Sequence, residues 1–398
     1  MDEQSSIVYR LKGDKVVWII IFLLSLISVA AVYSSSSALA FKENKSTIDF
    51  LLRQMRFVIF GLTALYICYR IPLKWYRLLS YAGIIISIVL LIATLAFGTS
   101  YNEAERWLRI FGITFQPAEI AKISVILYIS KILEDHDFKQ YKEFFIWVIS
   151  PVGFIILLIL YGSISTGILL SAVIFVMLII AGVKWMHIIK TTGIALAGLF
   201  LILLLNLSFG LFPRMETAIN RIKNFKSVEI LEESMTPAER QRALDKTFQA
   251  DMAKIAIASS GIIGKGPGNS TQRNLLPHPY SDFIYAIIIE EWGFLGGLAV
   301  LMLYVWFFTR AIMIAKRCTK TFSSLMVMGL AILITAQAML HICVNVGLLP
   351  VTGHTLPLIS LGGTSLVIMS GAFGMILSVS RTIEGVVETK ENETEVQL

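Results

Sequence analysis

Apolar runs of about 20 residues, separated by short polar segments, recur along almost the whole chain. A run of this length suits a helix that crosses a bilayer, whereas a membrane-spanning barrel would show short stretches of alternating polarity. The pattern therefore predicts an all-α polytopic membrane protein with ten transmembrane helices. The predicted spans are 16–34, 51–70, 77–98, 117–133, 144–161, 164–182, 187–209, 282–308, 322–349 and 362–380.

The first apolar run follows Arg10, Lys12 and Lys15 and precedes Ala38-Leu39-Ala40, an arrangement that secretory signals also show. Its apolar core is longer than that of a usual signal, and further spans follow it. We therefore expect an uncleaved first span.

Charge and composition support a membrane protein and predict its orientation. Hydrophobic residues make up 56% of the chain, charged residues 15%, and mean hydropathy is +0.75. The net charge of +7 does not indicate nucleic-acid binding, because the Lys and Arg residues form no single patch. They concentrate in alternate short loops, which places both termini in the cytoplasm. Loops 99–116, 210–281 and 350–361 then face outward, and 210–281 is a large extracytoplasmic loop between spans seven and eight.

This orientation divides the chain into three regions. Residues 1–15 form a cytoplasmic N-terminal segment, 16–381 form a single membrane domain, and the acidic tail 382–398 is expected to be disordered. The three cysteines lie far apart and the five histidines show no metal-ligand spacing, so neither a disulfide framework nor a zinc site is expected.

The long outer loop leads to an acid at the start of the eighth span. A capping-box pattern at 236–239 predicts a helix to about residue 259, followed by a glycine-rich connector to Ser281-Asp282. Two interpretations of Asp282 are open. Either Ser281 caps the helix and Asp282 merely complements the helix dipole, or Asp282 faces a cavity and serves as a general base.

Two further acids, Glu290 and Glu291, lie deeper in the same span, on different sides of the helix. An acid within a membrane span is costly unless it is paired. We therefore expect at least one of them to pair with a cation from another span.

A second polar group precedes and opens the fourth span, where Arg106 is followed by Gln116, Pro117, Glu119 and Lys122. On one interpretation these are ordinary helix-start and interfacial residues, with Lys122 extending outward to water. On the other, Arg106 and Lys122 meet near the outer surface and hold a phosphate-rich headgroup.

The third group lies between the last two spans. Glycine and proline are dense through Asn345–Gly353 and Leu356–Ser365, so the backbone must be irregular there. Irregular backbone at membrane depth is tolerated only where it is buried in protein or lines a polar cavity. The segment therefore indicates a binding site beside the last span.

Three stretches together resemble the SEDS family (shape, elongation, division and sporulation). They are ERWLRIFGITFQPAEIAK at 105–122, GIIGKGPGNSTQRNLLPHPYSDFIYAIIIEEWGFLGG at 261–297 and NVGLLPVTGHTLPLISLGGTS at 345–365, in the family's order and spacing. The pattern Gly268-Asn269-Ser270-x-Gln272 and the short spacing from Asn345 to Leu349-Pro350 are similar to the cell-division branch rather than the elongation branch.

The resemblance implies a bacterial peptidoglycan glycosyltransferase that polymerises lipid II at the outer face of the cytoplasmic (inner) membrane, at the division septum. It also implies a set of site residues in this sequence. Asp282 would be catalytic, and Arg106, Lys122, Glu119, Gln116, Ser281, Asn345 and Ser360 would bind substrate.

The resemblance implies partners as well. These are a class B penicillin-binding protein acting as septal transpeptidase, other division proteins, lipid II, undecaprenyl-linked glycan and membrane lipids, with no nucleic acid. No metal ligand is assigned, and at most a divalent cation, Mg²⁺ or Mn²⁺, would assist.

The sequence departs from the family in two places. An acid is common in a Pro-Asp-x-Gly-Thr-like motif between spans five and six, whereas residues 162–167 here read GSISTG, and Leu361 replaces a usual tyrosine. Two other functions stay open: a lipid II transporter, favoured by acids within spans and broken helices, and an elongation-type polymerase.

Overall fold

The structure, a computed structural model, describes residues 12–36, 46–101, 104–110, 112–209, 237–276 and 279–396, with single positions 215, 217, 219, 221 and 225. Within these parts the chain is predominantly helical. The helices are α1 (Lys15–Ser35), α2 (Thr47–Arg70), α3 (Leu73–Phe97), α4 (Pro117–Asp135), α5 (Tyr141–Gly162, with a π-helical turn at Phe145–Ile149), α6 (Ile164–Ile180), α7 (Trp185–Phe209), α8 (Pro237–Ala258), α9 (Ile284–Lys316), α10 (Thr321–Asn345) and α11 (Thr364–Val396), and a 3-10 turn covers Gln272–Asn274.

Eight of the helices in the described part of the chain are long and apolar enough to cross a membrane, which confirms the predicted multi-pass helical fold. They are α1, α2, α3, α5, α7, α9, α10 and α11. The other two predicted spans correspond to α4, which carries buried Glu119 and Lys122, and to α6, which has only 17 residues. The count of ten spans and the orientation of the chain stay predictions.

A small antiparallel sheet joins α3 to α4, where the sequence suggested only a loop. Its strands are β1 (Thr99–Tyr101), β2 (Ala104–Ile110) and β3 (Ile113–Phe115), in the order β1-β2-β3. Thr99 pairs with Trp107, and Leu108 pairs with Phe115, so β2 is bonded on both edges. The segment therefore has a defined backbone immediately before α4.

The core lies between α4 and α10, which pack against each other and against the neighbouring helices. α4 is buried on nearly all sides, and α10 is buried over most of its length. α11 lies along α2, α1 lies along α9, and α8 packs on α9 and α10. The arrangement brings the start of α9, the end of α10 and the segment before α11 together.

α9 is broken at Gly293, whose φ of 72° and ψ of −174° lie outside the helical region. Residues 261–274, which we call the glycine loop, dock on this break. Four backbone hydrogen bonds cross between them: Lys265 N to Glu290 O (3.0 Å), Gly266 N to Glu291 O (2.9 Å), Phe294 N to Gly261 O (3.1 Å) and Leu295 N to Ile262 O (3.3 Å). The loop thus supplies partners for backbone groups that the break removes from the helix.

The docking requires glycine at two positions because backbone meets backbone. A Cβ atom at Gly264 would lie 2.3 Å from the Glu291 carbonyl oxygen, and one at Gly293 would lie 2.1 Å from the Ile262 carbonyl oxygen. Both glycines also have positive φ, which L side chains rarely adopt. The loop could not approach α9 this closely with any other residue at either site.

The bounds of α8 and α11 can be compared with the helix and the disordered tail that the sequence predicted. α8 runs over Pro237–Ala258, which confirms the helix predicted in the long loop. α11 continues to Val396, through the acidic tail that the sequence suggested is disordered. Glutamate and lysine are good helix formers, so a helix already anchored by packing can extend through such a tail.

We expect Gly264→Ala to lower the stability of the protein by roughly 2–5 kcal/mol, because the methyl group collides with backbone and the residue is strained at positive φ. Gly153→Ala in α5 is the matched control, since a Cβ there meets nothing within 4 Å. Thermal unfolding of the purified protein in detergent measures the difference. Equal unfolding temperatures for the two variants would contradict the close docking.

Candidate functional site

Asp282 lies just before α9 and not in its first turn. The helix begins at Ile284, and its N-cap residue, Phe283, makes no side-chain cap. Ser281 therefore does not cap the helix, and Asp282 lies one residue before the N-cap rather than in the first turn. Instead, the chain turns through residues 281–283, and Asp282 is half-buried at the junction.

Asn345, the last residue of α10, holds this junction. Its Nδ2 donates to the carbonyl oxygen of Asp282 at 3.1 Å and to that of His341 at 2.9 Å. Its Oδ1 accepts from the Ala286 backbone N–H at 3.1 Å, an early amide of α9 that has no helical partner. Asn345 is fully buried, so the structure places it as a clamp on the backbone of Asp282.

Ser360 holds the junction from the other side. Its Oγ donates to the Ser281 carbonyl oxygen at 2.8 Å and accepts from the Leu356 N–H at 2.8 Å. The neighbouring Leu361 N–H donates to the Tyr280 carbonyl oxygen at 3.0 Å. Segment 351–361 therefore lies alongside residues 280–282 and is bonded to them.

Segment 351–361 is irregular, as the sequence predicted, and it is mostly buried; the binding site expected beside the last span stays a prediction. Its carbonyl oxygens accept from side chains that come from widely separated parts of the chain. The donors are Arg221 Nη1 to Val351 (3.1 Å), Ser165 Oγ to Thr352 (3.5 Å), His341 Nδ1 to His354 (2.7 Å), Gln337 Nε2 to Thr355 (3.0 Å), Tyr304 Oη to Pro357 and Ser28 Oγ to Ile359 (2.8 Å). This is how non-helical backbone is accommodated inside a membrane protein.

The segment approaches the Asp282 carboxylate directly. Gly353 has a φ of 72°, and a Cβ atom there would lie 3.8 Å from Asp282 Oδ2. Leu358, buried to 3% exposure, also has a positive φ of 63°. A left-handed conformation in a leucine is costly and persists only where the surroundings enforce it.

Lys122 faces inward, so the interpretation in which it extends outward to water is wrong. It is fully buried, and its Nζ lies 2.8 Å from Glu119 Oε1 and 2.8 Å from Gln337 Oε1. A buried ammonium needs such partners because leaving water is expensive. Gln337 in turn donates to Thr355 O, so polar contacts run from Glu119 to the segment beside Asp282.

One face of α10 makes most of these contacts. Gln337, His341 and Asn345 are spaced by four residues, which aligns them along one side of the helix. The sequence analysis singled out Asn345 but missed Gln337 and His341. The signal was present in the sequence, since polar side chains recur at that spacing within an apolar span.

Two further predicted site residues, Arg106 and Gln116, lie in the segment before α4. The side chain of Arg106 lies outside the described parts of the structure, so its juxtaposition with Lys122 stays a prediction. Gln116 is half-buried, immediately before α4, and lines a small cavity together with Thr94 and Ser163.

Glu290 is paired, but with the glycine loop rather than with another span. Its carboxylate lies 2.6 Å from Lys265 Nζ and accepts from Thr271 N (3.1 Å), Thr271 Oγ1 (2.8 Å), Gln272 N (3.3 Å) and Ser270 Oγ. Glu291 accepts from Ser34 of α1 and lies 3.9 Å from Arg273. The expected pairing is thus confirmed, whereas the expected source of the cation is wrong, because the loop folds back onto the break in α9.

Hydroxyl groups occupy the region where the family often has an acid. Ser163 Oγ caps α6 by accepting from Thr166 N at 3.4 Å and lies 2.8 Å from Thr166 Oγ1. Across the described residues, no group of three or more His, Cys, Asp or Glu is placed to hold a metal ion.

The chain is similar in sequence to proteins of one family. The profile of the FtsW/RodA/SpoVE family, described as cell cycle proteins, matches residues 14–384. A probable peptidoglycan glycosyltransferase FtsW from Geobacter sp. (strain M18) is 30% identical over 385 residues, covering 94% of this chain and 99% of that protein. Stage V sporulation protein E from Bacillus subtilis (strain 168) is 30% identical over 374 residues, covering 92% and 97%.

Two solved structures share the fold. The rod shape determining protein RodA from Thermus thermophilus superposes with a TM-score of 0.63 at 24% identity, covering 94% of this chain and 98% of that one. A chain from a study of how a peptidoglycan synthase complex coordinates polymerisation and crosslinking gives a TM-score of 0.65 at 24% identity, covering 93% and 98%. At this identity the likeness concerns the fold alone.

We expect Lys122→Met to lower stability by about 3–5 kcal/mol, because it leaves the buried Glu119 carboxylate without its cation. The double variant Glu119→Gln with Lys122→Met should recover most of that loss, since no uncompensated charge remains. Thermal unfolding in detergent compares the three proteins. A single variant as stable as the parent would show that the pair does not stabilise the junction of α4 and α10.

Proposed function

This chain belongs to the FtsW/RodA/SpoVE family of cell cycle proteins, the SEDS family that its motifs resemble, and we propose that it polymerises lipid II as a peptidoglycan glycosyltransferase. Asp282 is the general base of the reaction. The observation that carries this assignment is the clamp on residues 281–282 by Asn345 and Ser360, which fixes the backbone of a half-buried acid beside segment 351–361.

The reaction joins two lipid-linked sugars. Asp282 accepts the proton of a sugar hydroxyl on the acceptor lipid II, and that oxygen forms a bond to the anomeric carbon of the growing strand. The bond from this carbon to the lipid diphosphate breaks, the diphosphate departs with the electron pair, and the configuration inverts. A positioned base within hydrogen-bond reach of such a hydroxyl typically contributes about 10²–10⁴-fold to the rate.

Asn345 and Ser360 act as positioning residues and not as contacts to substrate. Both are buried, at 0% and 2% exposure, and both bond to the carbonyl oxygens of residues 281–282. A base whose position is already fixed loses no further conformational entropy when the substrate binds. Small displacements of a catalytic group, by contrast, lower the reaction rate strongly. Ser281 takes part through its backbone carbonyl.

Two cations differ in their roles. Lys122 is already bonded to Glu119 and Gln337, so it supports the segment beside Asp282 through the Gln337–Thr355 hydrogen bond. Arg106 lies in β2, the middle strand of the sheet that precedes α4, and we assign it the role of offsetting the charge on the departing diphosphate. No step is assigned to a divalent cation.

The membrane location follows from the substrate. The polyprenyl tails of both reactants stay in the bilayer while their sugars meet at its surface, which a multi-pass protein with a junction at one end of α9 can accommodate. We assign the protein to the bacterial cytoplasmic (inner) membrane at the division septum. Its partners are a class B penicillin-binding protein and other division proteins, in line with the FtsW names of its relatives.

We expect Asp282→Asn to abolish polymerisation of labelled lipid II by the purified protein, tested with and without its transpeptidase partner. The loss should exceed about 10²-fold, because the amide cannot accept the hydroxyl proton. Asp137→Asn is the matched control, since that acid is exposed just beyond the end of α4 that is farther from Glu119 and Lys122. Polymer length on gels measures the product.

Two outcomes would contradict the assignment. Polymer formation by Asp282→Asn at the rate of the control would remove Asp282 from the mechanism. Translocation of labelled lipid II across vesicles by the parent protein, without any polymer, would identify a transporter instead.

A further inference from the structure

A cavity of about 240 Å³ lies at the far end of α9 from Asp282, where α1 begins and α9 ends. Three elements line it: the start of α1, the last turns of α9 and the middle of α11. The lining residues are Asp14, Lys15, Val16, Arg310, Met313, Ile314, Arg317, Ser380, Ile383 and Glu384. The positive-inside pattern places this end of the molecule in the cytoplasm.

Both acids in the lining already have partners within the protein. Asp14 accepts from Arg310 Nε at 3.1 Å and from the first amides of α1, Val16 N at 3.0 Å and Val17 N at 3.1 Å. Glu384 accepts from the Gly13 N–H, which ties α11 to the chain before α1. Asp14 is therefore balanced by Arg310, whereas Glu384 keeps its negative charge in the lining, because a neutral N–H does not cancel it.

Two cations in the lining remain. Lys15 and Arg317 are exposed at the cavity, and in the described part of the chain neither forms an ion pair with an acid. Arg310 is satisfied by Asp14. With Glu384 counted, Lys15 at the start of α1 and Arg317 just after α9 leave the cavity with a net excess of one positive charge.

The rest of the lining is apolar. Val16, Met313, Ile314 and Ile383 come from the three helices that enclose the cavity. A site for a free anion needs only polar groups, whereas this combination of cations and aliphatic side chains matches the boundary between a lipid headgroup and its glycerol and acyl chains. The cytoplasmic leaflet is also where anionic lipids attract basic groups beside membrane helices.

We propose that this cavity binds the phosphate group of an anionic membrane lipid, with Lys15 and Arg317 contacting the phosphate and the aliphatic side chains contacting the glycerol and proximal acyl chain. The site is separate from Asp282 and independent of the polymerase chemistry. A bound lipid there would bridge α1, α9 and α11 at the end opposite the junction before α9.

The test uses the full chain purified in detergent, with lipid binding measured by native mass spectrometry and by the rise in unfolding temperature. Phosphatidylglycerol should bind and stabilise the parent protein, and Lys15→Ala with Arg317→Ala should weaken its apparent affinity roughly 30-fold, at about one cation's contribution each. Lys74→Ala with Lys142→Ala removes two exposed cations on the same predicted face but outside the cavity, and should change the affinity less than about threefold.

Three results would overturn the proposal. Equal loss of phosphatidylglycerol binding in both double variants would show diffuse attraction to surface charge. Phosphatidylcholine binding as tightly as phosphatidylglycerol would show that the phosphate charge is not recognised over the zwitterion. Stabilisation by inorganic phosphate equal to that by phosphatidylglycerol would assign the cavity to a free anion. Because the substituted side chains are exposed, unfolding temperatures without added lipid should match the parent and exclude misfolding as the cause.

Discussion

Backbone polar groups at membrane depth must find partners inside the protein, and this constraint governs the two irregular parts of the fold. At Gly293 the helix is interrupted, and the glycine loop supplies four backbone hydrogen bonds across the gap. Segment 351–361 has no regular pattern of backbone hydrogen bonds, so side chains from distant helices donate hydrogen bonds to its carbonyl oxygens. Each solution ties separate helices together at one place.

The buried charges follow the same rule. Lys122 is balanced by Glu119 and further bonded by Gln337, while Glu290 is balanced by Lys265 and several donors of the glycine loop. These clusters are not strong sources of net stability, because desolvation offsets much of their attraction. Their effect is on specificity. A buried charge is stable only in the arrangement of loop and helix that gives it its partner, so these clusters favour one position for residues 280–282.

The sequence alone determined much of the architecture and identified the candidate site. Hydropathy defines the spans, since a helix that crosses a bilayer must be apolar over its length, and Pro237 marks the start of the loop helix. The density of glycine and proline after Asn345 correctly indicated irregular backbone, and the packing decided that it is buried. The motif around Asp282 identified the acid on which the proposed chemistry depends.

Only the tertiary structure decided which groups meet. Lys122 and Gln337 are 215 residues apart, and Gly268 and Ser34 are 234 apart, so no local pattern contains these contacts. For the same reason the sequence left an outward Lys122 open, predicted a cation from another span for Glu290 or Glu291, and predicted a helix starting at Asp282. Local periodicity reports which face of an element is apolar, whereas the partner of a buried polar group is fixed by how distant segments pack.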